Sequence, residues 1–144
     1  MHVRRAGGFT LIELMVVMII IGVLAALVAP RLLGKADKAK VTEAKIQIKN
    51  FETALRLFKM DNGFYPSTEQ GLEALISAPE EGQIPENYKE NGYLEKKVIV
   101  PDPWGNEYIY LSPGELGEYE IISYGADGLP EGEDLNADIV NWDY

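Results

Sequence analysis

The chain has 144 residues, no cysteine, one histidine at position 2, and a formal net charge of −10. These counts exclude a disulfide scaffold, a soft-metal centre, and catalysis by a cysteine or by any histidine beyond the first residues. Residues 1 to 60 carry ten Lys and Arg against four Asp and Glu, residues 61 to 144 three against nineteen, and so acidic a distal part repels a nucleic-acid backbone.

A basic stub containing Arg4 and Arg5 ends at Gly8, and Phe9 opens an apolar run that reaches Pro30 with Glu13 as its one carboxylate. Counted from Phe9, the run has about the twenty residues that a helix needs to cross a bilayer. A carboxylate near the end of such a span is costly without a cation, which makes Glu13 a functional residue in search of a partner. A cut between Gly8 and Phe9 would place a new α-amino group roughly one helical turn from Glu13, within the same molecule or on a neighbour. The leader is unlike a secretory signal, because the apolar region follows the cut and survives it. Arg4 and Arg5 hold their end on the cytoplasmic side and send everything after about Arg31 across the membrane.

The run Gly8-Phe9-Thr10-Leu11-Ile12-Glu13 resembles the cleavage and methylation motif of type IV pilins and of the pseudopilins of type II secretion. The resemblance implies cutting after Gly8 by a prepilin peptidase and N-methylation of Phe9. It also implies a helical filament in which Glu13 neutralises the Phe9 amine of an adjacent subunit. The leader departs from the family in one respect: Ala6-Gly7 separates its arginines from Gly8, where many members have a basic residue.

Beyond residue 36, Ala44, Ile48, Phe51, Leu55 and Phe58 recur at alternating steps of four and three, with Lys40, Lys45, Lys49, Glu52, Arg56 and Lys59 largely off that seam. This spacing predicts that the helix continues with one packed stripe and the rest wet. Asp61-Asn62-Gly63 ends it, with Gly63 suited to a left-handed cap. The helix is then roughly fifty residues and about 75 Å long, interrupted near Gly22, Pro30 and Gly34, with Pro30 unable to donate its backbone hydrogen bond. The chain divides into a leader (1–8), a transmembrane and polymerisation helix (9–33), an amphipathic continuation (34–62) and a globular region (63–144).

Residues 68 to 76 read as a short helix with Leu72, Leu75 and Ile76 on one face, and Ser67 with Gln70 has capping-box spacing. A loop rich in Pro, Gly, Glu and Asn follows from 78 to 92. Val98-Ile99-Val100 and the turn Asp102-Pro103-Trp104-Gly105-Asn106 precede two alternating segments, 107 to 111 and 119 to 123, joined as a hairpin by a turn containing Pro and Gly. The Asp102 turn has a structural role, with Trp104 tucked into the core.

Tyr65-Pro66-Ser67-Thr68-Glu69-Gln70-Gly71-Leu72, Gly92-Tyr93-Leu94, the Asp102 turn, Asp127-Gly128, Asp138-Ile139 and Trp142 together resemble the major pseudopilin family of type II secretion. The fold this implies is α+β and type IV pilin-like: a long N-terminal helix packed on a small antiparallel sheet domain with a calcium-binding loop. Residues 125 to 138 hold five carboxylates, an amide oxygen and several glycines, hard ligands that suit calcium. An EF-hand is rejected, because Leu129 falls at its third position and no flanking helices are evident. The resemblance implies a loop that holds calcium with carboxylates of Asp127 and Asp138 and backbone carbonyls near Tyr124 and Leu129. Asn136 stands where many members have aspartate, and it and Asp134 complete the candidate set.

The expected function is structural and not enzymatic. The subunit polymerises into a periplasmic pseudopilus that exports folded proteins across the outer membrane, with itself as the main partner. A prepilin peptidase, minor pseudopilins, an inner-membrane platform and an outer-membrane secretin are the further partners, and nucleic acid is not among them. The expected location is the inner membrane, crossed once, with the C-terminal domain in the periplasm. A type IV pilus subunit for adhesion, motility or DNA uptake shares the N-terminal mechanism and is the alternative.

Overall fold

The computed structural model describes residues 8–142, so leader residues 1–7 lie outside the described residues. The chain forms two compact units, one ending at Asp37 and the other starting at Lys38. Helix α1 runs unbroken from Leu11 to Asn62, 52 residues. The interruptions expected at Gly22, Pro30 and Gly34 therefore do not end the helix. Proline removes one amide donor, a local loss that the bonds on either side can carry.

In the first unit, Leu11–Val28 is long and apolar enough to cross a membrane. Its side chains are exposed on every face, Ile12 at 70 % and Met18 at 71 %. A helix apolar all round needs lipid or other helices against it, which is the composition of a membrane anchor.

In the second unit the predicted stripe is the core: Ala44, Ile48, Phe51, Leu55 and Phe58 are all fully buried. Each such aliphatic or aromatic side chain stabilises the fold by about 1.5–3 kcal/mol through burial. Phe51 meets Tyr108 edge-on at 5.2 Å, and Phe58 packs on Phe64 and Tyr93 at 5.6 and 5.2 Å. One off-seam residue departs from the expected wet face. Glu52 is buried, held by Lys49 at 2.9 Å and Arg56 at 3.7 Å on its own helix, and the two cations offset the cost of taking the carboxylate out of water.

Gly63 follows the helix with φ 85° and donates its amide to the Lys59 carbonyl at 2.7 Å, the left-handed cap that a side chain would strain. Asn62, the last helical residue, donates to the Tyr93 hydroxyl at 2.9 Å and accepts from the Asn87 amide at 3.1 Å, tying the following loop to the helix end.

The short helix expected over 68 to 76 is smaller, a 3-10 turn at Leu72–Leu75. The capping box forms all the same: Ser67 donates its amide to Gln70 Oε1 at 3.0 Å, and the Gln70 amide donates to Ser67 Oγ at 3.3 Å. Gly71, at φ 62°, breaks helical geometry one residue before the 3-10 turn, which is why the box opens no longer helix.

Three antiparallel strands complete the unit in the order β1-β2-β3. β1 (Ile109–Leu111) and β2 (Glu120–Ser123) form the expected hairpin, pairing Ile109 with Ile122 and Leu111 with Glu120. β3 (Ile139–Val140) adds the chain's tail to the other side of β2. Tyr110, buried on β1, donates its hydroxyl to the Pro66 carbonyl at 2.8 Å. Burial pushes its phenol up to about 12, and burial followed by the Glu52 charge does the same for Tyr119.

Candidate functional site

Two places carry the residues singled out by sequence. The first is the start of α1. Gly8 is exposed, with open space where a side chain would stand, and Phe9 is 80 % exposed. Glu13 Oε2 accepts the Thr10 amide at 3.1 Å and its hydroxyl at 3.4 Å, while the Glu13 amide donates to Thr10 Oγ1 at 3.3 Å. This is a reciprocal capping box, and it satisfies two amides that the first turn leaves without helical partners. Sequence reasoning sought a cation for Glu13 and passed over Thr10. The Thr-x-x-Glu spacing was the available signal.

The second place is the acidic loop between β2 and β3. Tyr124, Asp127 and Leu129 lie on its first half. Asp127 Oδ1 accepts the Leu129 amide at 3.1 Å, an Asx turn that shapes the loop around Gly128. Asp134 and Asn136 bound a 3-10 turn on the second half, and Asp138 Oδ2 reaches back to accept the Glu131 amide at 3.2 Å. Asp134 and Asp138 line one cavity of about 210 Å³ with Val41 and Lys45, and Asp127 is not part of its wall. Glu131 and Asp134 sit at φ 66° and 55°, the left-handed region that costs residues other than glycine about 1–3 kcal/mol each. A Cβ on Gly132 would fall 1.9 Å from the Asn136 carbonyl oxygen, so the two halves of the loop touch backbone to backbone.

Among the described residues no three Asp, Glu, His or Cys side chains converge on one point. A site here would thus draw on backbone carbonyls as well as carboxylates, as calcium coordination permits. Asp138 Oδ1 speaks for such a fit: it is buried and accepts no hydrogen bond among the described residues, the condition of an anionic oxygen awaiting a cation.

The Asp102 turn supports this loop, which sequence reasoning did not foresee. Asp102 is buried and accepts from the amides of Trp104 and Asn106 at 3.1 and 2.8 Å and from the Ser123 hydroxyl at 2.6 Å. Three donors on an acceptor-only group satisfy a buried carboxylate. Asn106 in turn donates its side-chain amide to the Gly125 carbonyl at 3.1 Å, and the Gly125 amide donates to Ser123 Oγ at 3.4 Å.

A long helix, apolar on every face at its start and the spine of a small antiparallel domain at its end, defines a pilin-like subunit. The family described as type II secretion system (T2SS), protein G matches residues 31–142, and the prokaryotic N-terminal methylation motif matches residues 3–29. Type II secretion system core protein G of Pseudomonas aeruginosa is 52% identical over 143 residues, covering 99% of each chain. Its counterpart in Vibrio cholerae is 49% identical over 139 residues, covering 96% of this chain and 93% of that one. The crystal structure of the major pseudopilin from the type 2 secretion system of enterohaemorrhagic Escherichia coli superposes with a TM-score of 0.66 at 41% identity, covering 78% of this chain and 95% of that chain. The chain belongs to the protein G family of type II secretion, a family of structural pseudopilins.

Proposed function

We propose that the chain is cut between Gly8 and Phe9, methylated on the Phe9 amine, and polymerised into a periplasmic pseudopilus whose growth drives folded proteins through an outer-membrane channel. The match to the protein G family over residues 31–142, continuous with the methylation motif before it, carries this reading. The apolar helix is inserted with Arg4 and Arg5 inside and the globular unit in the periplasm. On assembly, residues 9 to 29 exchange lipid contacts for one another. In that apolar bundle the Phe9 amine of one subunit and the Glu13 carboxylate of another remove an unpaired charge of each sign and so set register. Prepilin peptidase, the minor pseudopilins, the inner-membrane platform and the secretin are the partners of this cycle.

Calcium belongs to the same reading. Asp127, Asp138, Asn136 and Asp134, with the carbonyls of Tyr124 and Leu129, would hold it, and the buried free oxygen of Asp138 supports the assignment. When bound, the ion supplies a crosslink between the loop's two halves in a chain without cysteine.

Deleting the gene in its own host and measuring the proteins of periplasm and medium tests the function, with motility and DNA uptake scored on the same strain. Exported proteins trapped in the periplasm are the expected result. Unchanged secretion with lost motility or uptake would move the chain to the type IV pilus class.

A further inference from the structure

The strand order β1-β2-β3 leaves the far side of β1 without a neighbouring strand, and the register tells which of its backbone groups face that way. Ile121 on β2 donates its amide to Asn141 Oδ1 at 2.9 Å and accepts the Asn141 amide on its carbonyl at 3.2 Å, so both of its backbone groups are turned toward β3. Tyr110 stands opposite Ile121 in the ladder. The two residues therefore exchange no bonds with each other, and Tyr110 turns its N–H and C=O outward, to the open edge of the sheet.

That edge is closed on either side of Tyr110. Two residues on, in the same orientation, Thr68 Oγ1 accepts the Ser112 amide at 2.8 Å and donates to the Ser112 carbonyl at 3.2 Å, one hydroxyl standing in for a neighbouring strand. Four residues back, the Asn106 carbonyl accepts the Asp102 amide at 2.8 Å. Between these two stops lies a cleft of about 610 Å³ lined by all of residues 107 to 111. Neighbours on a strand point to opposite faces, so a cleft that touches five in a row follows the strand's edge. Leu72 and Ile99 give it an apolar wall, and among the described residues that line it the charged ones are Glu73 and Glu107, both exposed.

An open backbone edge, an apolar wall and two carboxylates suit an extended peptide that adds as a further strand, sets apolar side chains against the wall and brings Lys or Arg to the acids. Residues 96 to 100 of this chain, Lys-Lys-Val-Ile-Val, have that composition. They are already committed, because Ile99 packs against the core and forms part of the cleft's own wall. A copy that lent this stretch to a neighbour would dismantle its own cleft.

We infer that the cleft beside Tyr110 is a strand-addition site for an extended, basic and β-branched segment of a different protein. Its lining residues all belong to the second unit, and the site goes beyond the polymerising helix on which the proposed function rests.

The test uses the full chain in zwitterionic detergent and a fluorescein-labelled peptide, Lys-Val-Thr-Ile-Lys, with binding read by anisotropy and amide hydrogen exchange read residue by residue. The peptide should bind. At saturation it should slow exchange of the Tyr110 amide at least about ten-fold, while the amides of Ile109 and Leu111, already in the ladder with β2, keep their rates. Methylating the adjacent Val and Thr nitrogens of the peptide blocks whichever of its edges faces β1 and should weaken binding at least about ten-fold. Glu73→Gln with Glu107→Gln should weaken it about five-fold, and Glu90→Gln with Glu115→Gln, exposed carboxylates outside the cleft, should leave it unchanged. No binding up to about 1 mM, equal binding of the methylated peptide, an equal effect of the two carboxylate pairs, or an unchanged Tyr110 amide in the bound state overturns the site. A Tyr110 amide that exchanges as slowly as that of Ile109 in the chain alone shows the edge already covered, and overturns it as well.

Discussion

The side-chain amide of Asn106 reaches the backbone carbonyl of Gly125 at 3.1 Å, joining the turn before β1 to the first residues of the acidic loop. The two segments are far apart in sequence, and the loop's path depends on the turn being there to meet it. Asn106→Ala should lower stability by about 1 kcal/mol and weaken calcium binding as well. Denaturant unfolding of the full chain in detergent, with calcium and with chelator, separates the two effects. A loss of the same size in both conditions would make Asn106 a prop of the fold alone.

Asp127→Ala should lower the melting temperature further in calcium than in chelator: loss of the hydrogen bond from the Leu129 amide counts in both, and a ligand that binds the folded state adds its own stabilisation by mass action. Asp138→Asn keeps the shape of the side chain and removes the charge behind its buried Oδ1, and it should act in the same direction. Parent and variants melting together in calcium would remove the site.

Glu13→Ala should still insert and be cut after Gly8 but yield few filaments. Thr10→Val removes the hydroxyl from the box that Glu13 closes, costing about 1 kcal/mol at the helix start. It leaves the carboxylate available to an amine. Thr10→Val should therefore assemble better than Glu13→Ala when sheared filament yield is compared, and normal yield from Glu13→Ala would sink the charge-pairing mechanism.

Stability should be flat on the neutral side and fall in strong base. Tyr110 and Tyr119 have phenols pushed up from 10.0 to about 12, chiefly by burial. The folded state therefore keeps protons that the unfolded chain gives up. Their contribution is complete below about pH 10 and is lost as pH rises toward about 12. Urea unfolding across that interval measures the slope, and Tyr110→Phe should flatten it. A slope unchanged in that variant would place the titration elsewhere.

Periodicity made the long helix and its buried stripe legible, because alternating steps of three and four over fifteen residues have few other readings. The burial of Glu52 was hidden, since hydropathy ranks a carboxylate as wet and misses the basic partners three residues before it and four after. β3 was hidden for another reason: Ile139–Val140 is too short to show alternation, and its pairing with Ile122 and Ser123 is a long-range contact that no local pattern announces. The acidic loop was legible as chemistry and not as geometry. Five carboxylates can be counted from the sequence, but the approach of Asp138 to the Glu131 amide, and of Gly132 to the Asn136 carbonyl, depends on a backbone that turns twice through left-handed conformations.

Gln70 uses both ends of its amide. The oxygen takes the Ser67 amide, and the nitrogen donates to the carbonyls of Glu81 at 2.7 Å and Gln83 at 3.0 Å, pinning a long loop to the turn after the helix. In a chain with no thiol, the folded form owes nothing to an oxidase, and a reductant such as dithiothreitol has nothing in it to cut. The subunit can mature equally well before or after a cell's oxidising enzymes have acted on its neighbours.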